Sequence, residues 1–416
     1  MKVIISAYAC SPYKGSEPGV GWGFVKGLAL LHDLCVITEI SFKEDINCYL
    51  DKHPELVRVR FEYVPRIRHR VLERIWPPAY YWTYRRWQQD AYRLAQKLHK
   101  EVGFDLAHQL NMIGFREPGY LYKLGIPFVW GPVGGMGLFP WRFLSVVGLH
   151  GAFYYFGYNL FNYLHMRFLV RPRKAAKAAG DGLISANTEN REGSLSFWDA
   201  DSTIVYPVGP ASFSISTVPV RTKNQPLKIV WCGALTPGKA LHLALNAAGQ
   251  ISKDIEWELH ILGDGPQATN AQLLAASLRV DKKVHFHGWL PRDIAMEVMK
   301  GAHLMLFSSL REGTPTVIVE ALSLGLPVVC LDHSGMADMV NEQCGVKIPA
   351  TSPREVVVKM ARAIEQLAQD EDMRQKLAQG ALQRARKFAW EEKARVVNRI
   401  YQAKMACVGI AKKIEL

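Results

Sequence analysis

The chain has few cysteines, and no arrangement of them carries chemistry. Cys10, Cys35, Cys48, Cys232, Cys330, Cys344 and Cys407 are odd in number and widely spaced, with no Cys-x-x-Cys pair and no Cys/His cluster. This pattern argues against a zinc site and for a reducing compartment. There is no Asp-x-Asp motif and no His/Asp cluster at ligand spacing, so no metal site is expected. No RNP, KH, zinc-finger or helix-turn-helix signature is present, so nucleic acid is not an expected partner. Internal repeats and low-complexity tracts are also absent. The opening apolar run, from Met1 to Ala9, is too short for a signal-peptide core of about 7–15 residues followed by a cleavage site, and reads as a first strand. The most apolar stretch, 143–161, approaches the ~20 residues of a membrane span but contains His150, Asn159 and several glycines. Acidic residues are in deficit, with 38 Asp and Glu against 51 Lys and Arg and a formal net charge of +13. An excess of that size points to anionic partners such as phosphorylated substrates or an acidic membrane surface.

What remains is an ordinary globular composition. The 416 residues are 49% hydrophobic and 21% charged, enough for a large core and two or three domains. Short, nearly continuous apolar runs at 3–7, 34–38, 126–130, 182–186, 202–207, 228–233, 257–263, 283–288, 302–308 and 327–332 each end at a glycine, proline or small polar residue. Such runs suit parallel strands buried on both faces. Helical patterns at 20–31, 240–251 and 316–324 separate them, so the class is α/β with doubly wound sheets. A polar stretch from Pro207-Val208-Gly209-Pro210 to Asn224-Gln225-Pro226 predicts a hinge. The expected division is an N-terminal domain over 1–206, a linker over 207–226, a C-terminal domain over 227–390 and a final helix over 391–416.

Two segments fit neither ordinary strand nor ordinary helix. From Arg58 to Lys100 there are eleven Lys/Arg and three acids, interleaved with Trp76, Tyr80, Tyr81, Trp82, Tyr84, Trp87 and Tyr92. The stretch 138–170 is dense in Phe, Tyr, Leu and Val and runs into Arg167, Arg171, Arg173, Lys174 and Lys177. Both patterns suit the boundary between water and anionic headgroups. A packed helical hairpin with a solvated basic edge is the alternative for the second.

The strongest chemical signal lies in 308–329, where Ser308-Ser309-Leu310-Arg311-Glu312-Gly313-Thr314-Pro315-Thr316 leads into a helix carrying Glu320. The two glutamates stand eight apart, one closing a strand-to-helix loop and the other one turn into the helix. A glycine in the loop allows close backbone approach, and the helix N-terminus offers free N–H groups at the positive end of its dipole. That arrangement suits a diphosphate, with Glu320 accepting ribose hydroxyls and Glu312 facing a donor sugar.

This stretch resembles the Glu-x7-Glu signature of the retaining GT-B glycosyltransferases of family 4, the group 1 glycosyl transferases. Other segments agree in order. Lys228–Gly233 with Ala234, Pro237, Gly238 and Lys239 is similar to the family's strand and phosphate loop. Leu262-Gly263-Asp264-Gly265-Pro266 matches its Gly-x-Gly-Pro turn, and Val284–Leu290 matches the strand beside the base. Tyr206-Pro207-Val208-Gly209 resembles the linker entry. The resemblance covers most of the C-terminal half and, more loosely, the N-terminal half. It implies two Rossmann-like domains facing across a cleft, a nucleotide-diphosphate sugar as donor substrate with no other cofactor, and transfer with retention. It departs at Ala234, where the family places Arg; Lys offers phosphate a point charge, not a bidentate fork.

Carried residue by residue, the resemblance nominates His108, Lys239 and Glu312 as catalytic. It nominates Gly19, Gly21, Gly233, Lys239, Gly263, Glu312, Gly313, Thr314, Pro315, Thr316 and Glu320 as donor-binding. Gly19 and Gly21 lie in the glycine-rich loop after the first strand. A dinucleotide fingerprint with Glu39 about 20 residues on is the rival reading there, but the glycines at 19, 21 and 23 do not follow Gly-x-Gly-x-x-Gly. Trp130-Gly131-Pro132-Val133-Gly134-Gly135 is expected at the same cleft, and Trp390 as a packing anchor. The expected acceptor is a saccharide or a polyprenyl-linked saccharide in the assembly of a cell-surface polysaccharide or lipopolysaccharide, at the cytoplasmic face of a membrane. A degenerate nucleotide-sugar binder of the same fold, or a nicotinamide-dependent oxidoreductase, is the alternative.

Overall fold

The computed structural model describes residues 1–414 except 57, 68–74, 76–78, 211–217, 219 and 223–224. Trp76 and much of the expected 207–226 linker lie outside the described residues. By packing, the chain divides into a first unit of Met1–Met136, Tyr163–Pro207 and Trp390–Leu416, and a second of Gly137–Asn162 and Val208–Ala389.

The first unit is built on β1 (Lys2–Ala7), α1 (Ser16–Ala29), β2 (Asp33–Glu39), α2 (Lys43–Leu50), β3 (Val59–Val64), α3 (Ala79–Val102), β4 (Leu106–Asn111) and β5 (Phe128–Val133). After α4 (Gly148–Phe168) come α5 (Val170–Ala179), β6 (Leu183–Ser185), α6 (Thr188–Trp198) and β7 (Thr203–Ile204). The seven strands are ordered β3-β2-β1-β4-β5-β6-β7, and every pairing is parallel.

The second unit contains β8 (Leu227–Cys232), α7 (Leu241–Ala248), β9 (Trp257–Leu262), α8 (Ala268–Ser277), β10 (Val284–Gly288), α9 (Arg292–Lys300) and β11 (Leu304–Phe307). It continues with α10 (Thr316–Ser323), β12 (Val328–Asp332), α11 (Ser334–Met339), β13 (Gly345–Pro349), α12 (Pro353–Gln369) and α13 (Glu371–Arg386). Its six parallel strands run β10-β9-β8-β11-β12-β13. The last helix, α14 (Trp390–Ile414), groups with the first unit. The fold is the GT-B pair of Rossmann-like α/β units.

Strand interiors explain the apolar runs. Val3, Ile4, Ile5, Leu106, Ala107 and Val129 are fully enclosed in the first sheet, as are Leu304–Leu306 and Val328–Leu331 in the second. Both faces of each strand are covered, so the residues do not alternate with polar ones.

The structure differs from the sequence expectation at three places. The basic-aromatic stretch 58–100 contains a strand, β3, and a long helix, α3. On α3 the side chains of Tyr84, Trp87, Ala91, Ala95 and Leu98 recur at helical spacing and are buried, whereas Tyr81 and Trp82 are exposed. The 3.6-residue period therefore sorts the aromatics into core and surface. Residues Gly137–Asn162 pack with the second unit, not within a continuous N-terminal domain, because Asn159 and Asn162 hold the carbonyls of Phe139 and Gly137 and the Tyr155 ring stacks on Phe139.

The third difference is at the glycine-rich segment. Helix α1 starts at Ser16, so Gly19 and Gly21 lie within a helix, not in the loop before it. A Cβ on Gly21 would stand 2.1 Å from the Ala9 carbonyl oxygen and 2.9 Å from Asn111 Nδ2, and one on Gly23 would enter the Trp390 ring at 2.4 Å. These glycines let α1 lie close on the end of β1, on Asn111 and on α14, with Trp390 set edge-on to Phe24 at 5.4 Å. Gly21→Ala should therefore destabilise the first unit by about 1–3 kcal/mol, measured as a lowered urea midpoint with unchanged slope.

Candidate functional site

In the second unit the strand order reverses between β8 and β11. These strands pair in parallel, Ile229 with Leu304 and Val230 with Met305. Their C-terminal loops, 233–240 and 308–315, therefore emerge side by side, at the kind of switch point where open α/β sheets bind ligands. The loops are tied by Leu310 N–H donating to the Gly238 carbonyl at 2.9 Å and Ser308 Oγ to the Lys239 carbonyl at 3.1 Å. Trp231 Nε1 donates to Ser308 Oγ at 3.0 Å from within the core.

Across this junction Lys239 Nζ forms an ion pair and hydrogen bond with Glu312 Oε1. Ser309 Oγ donates to the same oxygen at 2.7 Å. The backbone of Glu312 is held as well, its carbonyl accepting from Gly335 N–H at 3.0 Å and Ser334 Oγ at 2.5 Å. The crowded glycine at this junction is Gly335, where a Cβ would stand 1.8 Å from the Gly313 carbonyl oxygen. A Cβ on Gly313 itself would meet open space, so the close approach expected at Gly313 belongs to Gly335.

Thr314 and Pro315 complete the turn into α10. No side chain caps that helix, whose first residue, Thr316, is exposed. An uncapped helix start of this kind offers N–H groups and a positive dipole end to an anion. One turn on, Glu320 Oε1 accepts from Arg292 Nε at 2.9 Å and from its terminal nitrogen at 2.7 Å. Gly233 and Gly263 meet at the ends of β8 and β9. Gly263 has φ +141°, and a Cβ there would lie 1.9 Å from the Gly233 carbonyl oxygen. Burial pushes the nearby Cys232 thiol up to about 11, which keeps it a neutral thiol. Ala234 is exposed beside these groups and presents only a methyl where the family places Arg.

Several participants carried no sequence signal. Ser309, Arg292 and Gly335 become visible only when the loops meet. So do Tyr155 and Tyr158 of α4. The Tyr155 hydroxyl is hydrogen-bonded to the Gly238 backbone, and the Tyr158 ring lies 3.9 Å beneath the Arg311 guanidinium, which also bonds its hydroxyl.

The first unit holds the other predicted residues. Glu17, between the nominated glycines and Ser16, is a buried carboxylate that sequence reasoning passed over. Its Oε1 accepts from Ile113 N–H at 3.3 Å, its other oxygen is enclosed without a hydrogen bond among the described residues, and burial pushes it up to about 7. His108 requires a correction. It is wholly buried in β4, with Nδ1 2.6 Å from the Tyr401 hydroxyl and Nε2 2.8 Å from the Gly131 carbonyl oxygen. Both ring nitrogens are spent within the first unit, so His108 pins β4, β5 and α14 and has no nitrogen to offer a sugar. The same Gly131 that looked like part of a ligand loop is its partner.

Residues 217–384 match the family model of the glycosyl transferases group 1. That stretch, two-fifths of the chain, is similar to that family. Among curated relatives, the lipopolysaccharide 1,6-galactosyltransferase of Salmonella typhimurium is 29% identical over 143 residues, 34% of this chain and 39% of that protein. The D-inositol 3-phosphate glycosyltransferase of Corynebacterium efficiens is 26% identical over 181 residues, 42% of each. The aligned part of the chain thus spans about two-fifths of these relatives. Whole-chain likeness is seen in folds. The apo form of the lipopolysaccharide outer core galactosyltransferase WaaB superposes with a TM-score of 0.63 at 16% identity, covering 97% of this chain and all of that one. Anabaena Alr3699/HepE, solved with UDP and glucose, superposes at 0.59 and 15% identity, covering 97% and 100%.

Burial lowers the His108 ring to about 4, against the opposing contact with the Gly131 carbonyl. Folded His108 stays neutral, while the unfolded chain takes up the proton near 6.5. Its contribution is therefore intact above about 6.5 and falls away toward pH 4, by up to about 1.4 kcal/mol per pH unit. In His108→Gln, chemical denaturation across that range should show a slope shallower by one proton, and a loss of about 1–3 kcal/mol at neutral pH from the disrupted Tyr401 pairing.

Proposed function

We propose that the protein is a retaining glycosyltransferase that moves a sugar from a nucleotide-diphosphate sugar to a saccharide acceptor. The observation that carries this reading is the junction of the 233–240 and 308–315 loops. There Lys239, Glu312 and Ser309 converge beside the uncapped start of α10, with Glu320 one turn on. The loop and helix-terminal N–H groups face the diphosphate, joined by Lys239. Glu320, held by Arg292 through one oxygen, receives the ribose hydroxyls with the other. Glu312 orients the sugar. Gly233, Gly263 and Gly313 leave backbone surface for the donor.

In this reading the bond from the anomeric carbon to the diphosphate oxygen breaks as the bond to the acceptor oxygen forms on the same face. The acceptor's proton passes to the leaving phosphate oxygen. Preorganised positive charge and amide dipoles stabilise the developing diphosphate. The first unit receives the acceptor. The acceptor is a lipid-linked saccharide in polysaccharide or lipopolysaccharide synthesis, met by an enzyme that is peripheral on the membrane's inner face. The match to the group 1 glycosyl transferases and the galactosyltransferase activity of the Salmonella relative support the class. The methyl of Ala234 favours one second reading, a nucleotide-sugar binder without transfer.

Thermal shift with UDP, GDP and ADP and their sugars separates these outcomes. Saturation at about 100 times the dissociation constant should stabilise the wild type by about 2.7 kcal/mol with one base series, and Glu320→Gln should weaken that ligand at least about tenfold. Lys239→Ala should abolish transfer while the domain stays folded. Binding without nucleotide release toward any saccharide acceptor selects the binder. Absence of any nucleotide shift refutes the donor site.

A further inference from the structure

Helix α4 is inverted. Its inward face is polar and small: Asn159 and Asn162 are buried and hold backbone carbonyls, while Tyr155 and Tyr158 reach the 233–240 and 308–315 loops. Its outward face is apolar. Leu149, Phe153, Phe156 and Leu160 are 81%, 77%, 53% and 49% exposed, and Trp141, half exposed, packs edge-on against Phe156 at 5.7 Å. The spacing of four, three and four places these side chains in one stripe, about 17 Å long at 1.5 Å per residue. A soluble helix with its asparagines inside and its phenylalanines outside leaves apolar area in water, at a cost of about 25 cal/mol per Å². No helix among the described residues is long and apolar enough to cross a membrane.

The charge around the stripe selects its occupant. Helix α4 and the turn that leads into it, residues 137–168, carry Arg142 and Arg167 and no acidic residue. Pairing with a second copy through this face would set the acid-free segment against itself. Anionic headgroups complement it, and large aromatic and leucine side chains on a helix lying in the interface plane are the usual means of insertion. We infer that the outward stripe of α4 docks on an anionic lipid bilayer surface. The inward face of the same helix holds Gly238 and Arg311, so docking fixes the donor loops at a set height above the lipid. This deepens the peripheral reading given above and rests on it for its role in transfer, but the docking itself needs no donor.

The test is sedimentation of the full chain with vesicles of phosphatidylcholine containing about 30% phosphatidylglycerol, and with phosphatidylcholine alone. Wild type should bind the anionic vesicles, and more weakly as salt rises. Phe153→Glu and Leu149→Glu should each reduce the bound fraction at least about tenfold, and Phe153→Trp should keep it. The thermal midpoint of each variant reports whether it is folded, and nucleotide-induced shift, read in parallel, tests the donor site separately. Loss of vesicle binding with the nucleotide shift intact supports the docking face. Wild type that ignores vesicles, or glutamate variants that bind like wild type, overturns it. So does a concentration-dependent dimer in light scattering that the same substitutions abolish without any lipid binding.

Discussion

The parallel pairing of β8 with β11 is the constraint on which the second unit's chemistry depends. It is a crossover: α7, β9, α8, β10 and α9 separate the two strands in the chain, and only their adjacency sets Lys239 against Glu312. Removing a lysine and a carboxylate partly from water is costly unless each finds partners, and the junction provides them. Ser309 completes Glu312, Ser334 and Gly335 hold its carbonyl, and Ser308 ties the Lys239 backbone to the strand below. The arrangement is preorganised: in the absence of ligand the charges neutralise one another, and the backbone that carries them is already fixed.

Helix α4 joins that junction to a surface. Its tyrosines occupy positions that crowd the loop, since a Cβ on Gly238 would stand 2.2 Å from the Tyr155 hydroxyl oxygen. The helix is closely fitted to the loop on one side and apolar on the other. The first unit is organised by a different principle, the saturation of buried polar groups. His108 bonds Tyr401 and Gly131, and Asn111 bonds the Ala9 carbonyl at 2.7 Å. Glu17 is one exception, a carboxylate held at the start of α1 by one backbone N–H and neutralised in part by burial.

Residue patterns made much of this legible. Parallel strands buried on both faces must be continuously apolar, so the runs at 3–7, 228–233 and 302–308 fell where β1, β8 and β11 lie. The loop of Glu312 and the helix of Glu320 were legible for a local reason: a strand, a tight turn and a helix start within about a dozen residues, and each leaves its own mark on composition. The long helix α3 was not, because its aromatics on the core and its arginines on the surface are mixed in sequence and separate only once wound at 3.6 residues per turn.

The chain's order of residues thus determined the α/β class, the two sheets, and the positions of Lys239, Glu312 and Glu320 on loop ends and a helix start. These follow from local periodicity and turn chemistry. Only tertiary structure decided that His108 is a buried pin, that Gly21 and Gly335 serve close packing, that Arg292 holds Glu320, and that residues 137–162 join the second unit. Each of those depends on contacts between segments far apart in the chain, and burial, which sets whether a histidine is a ligand or a strut, is a property of the packed interior that no local pattern contains.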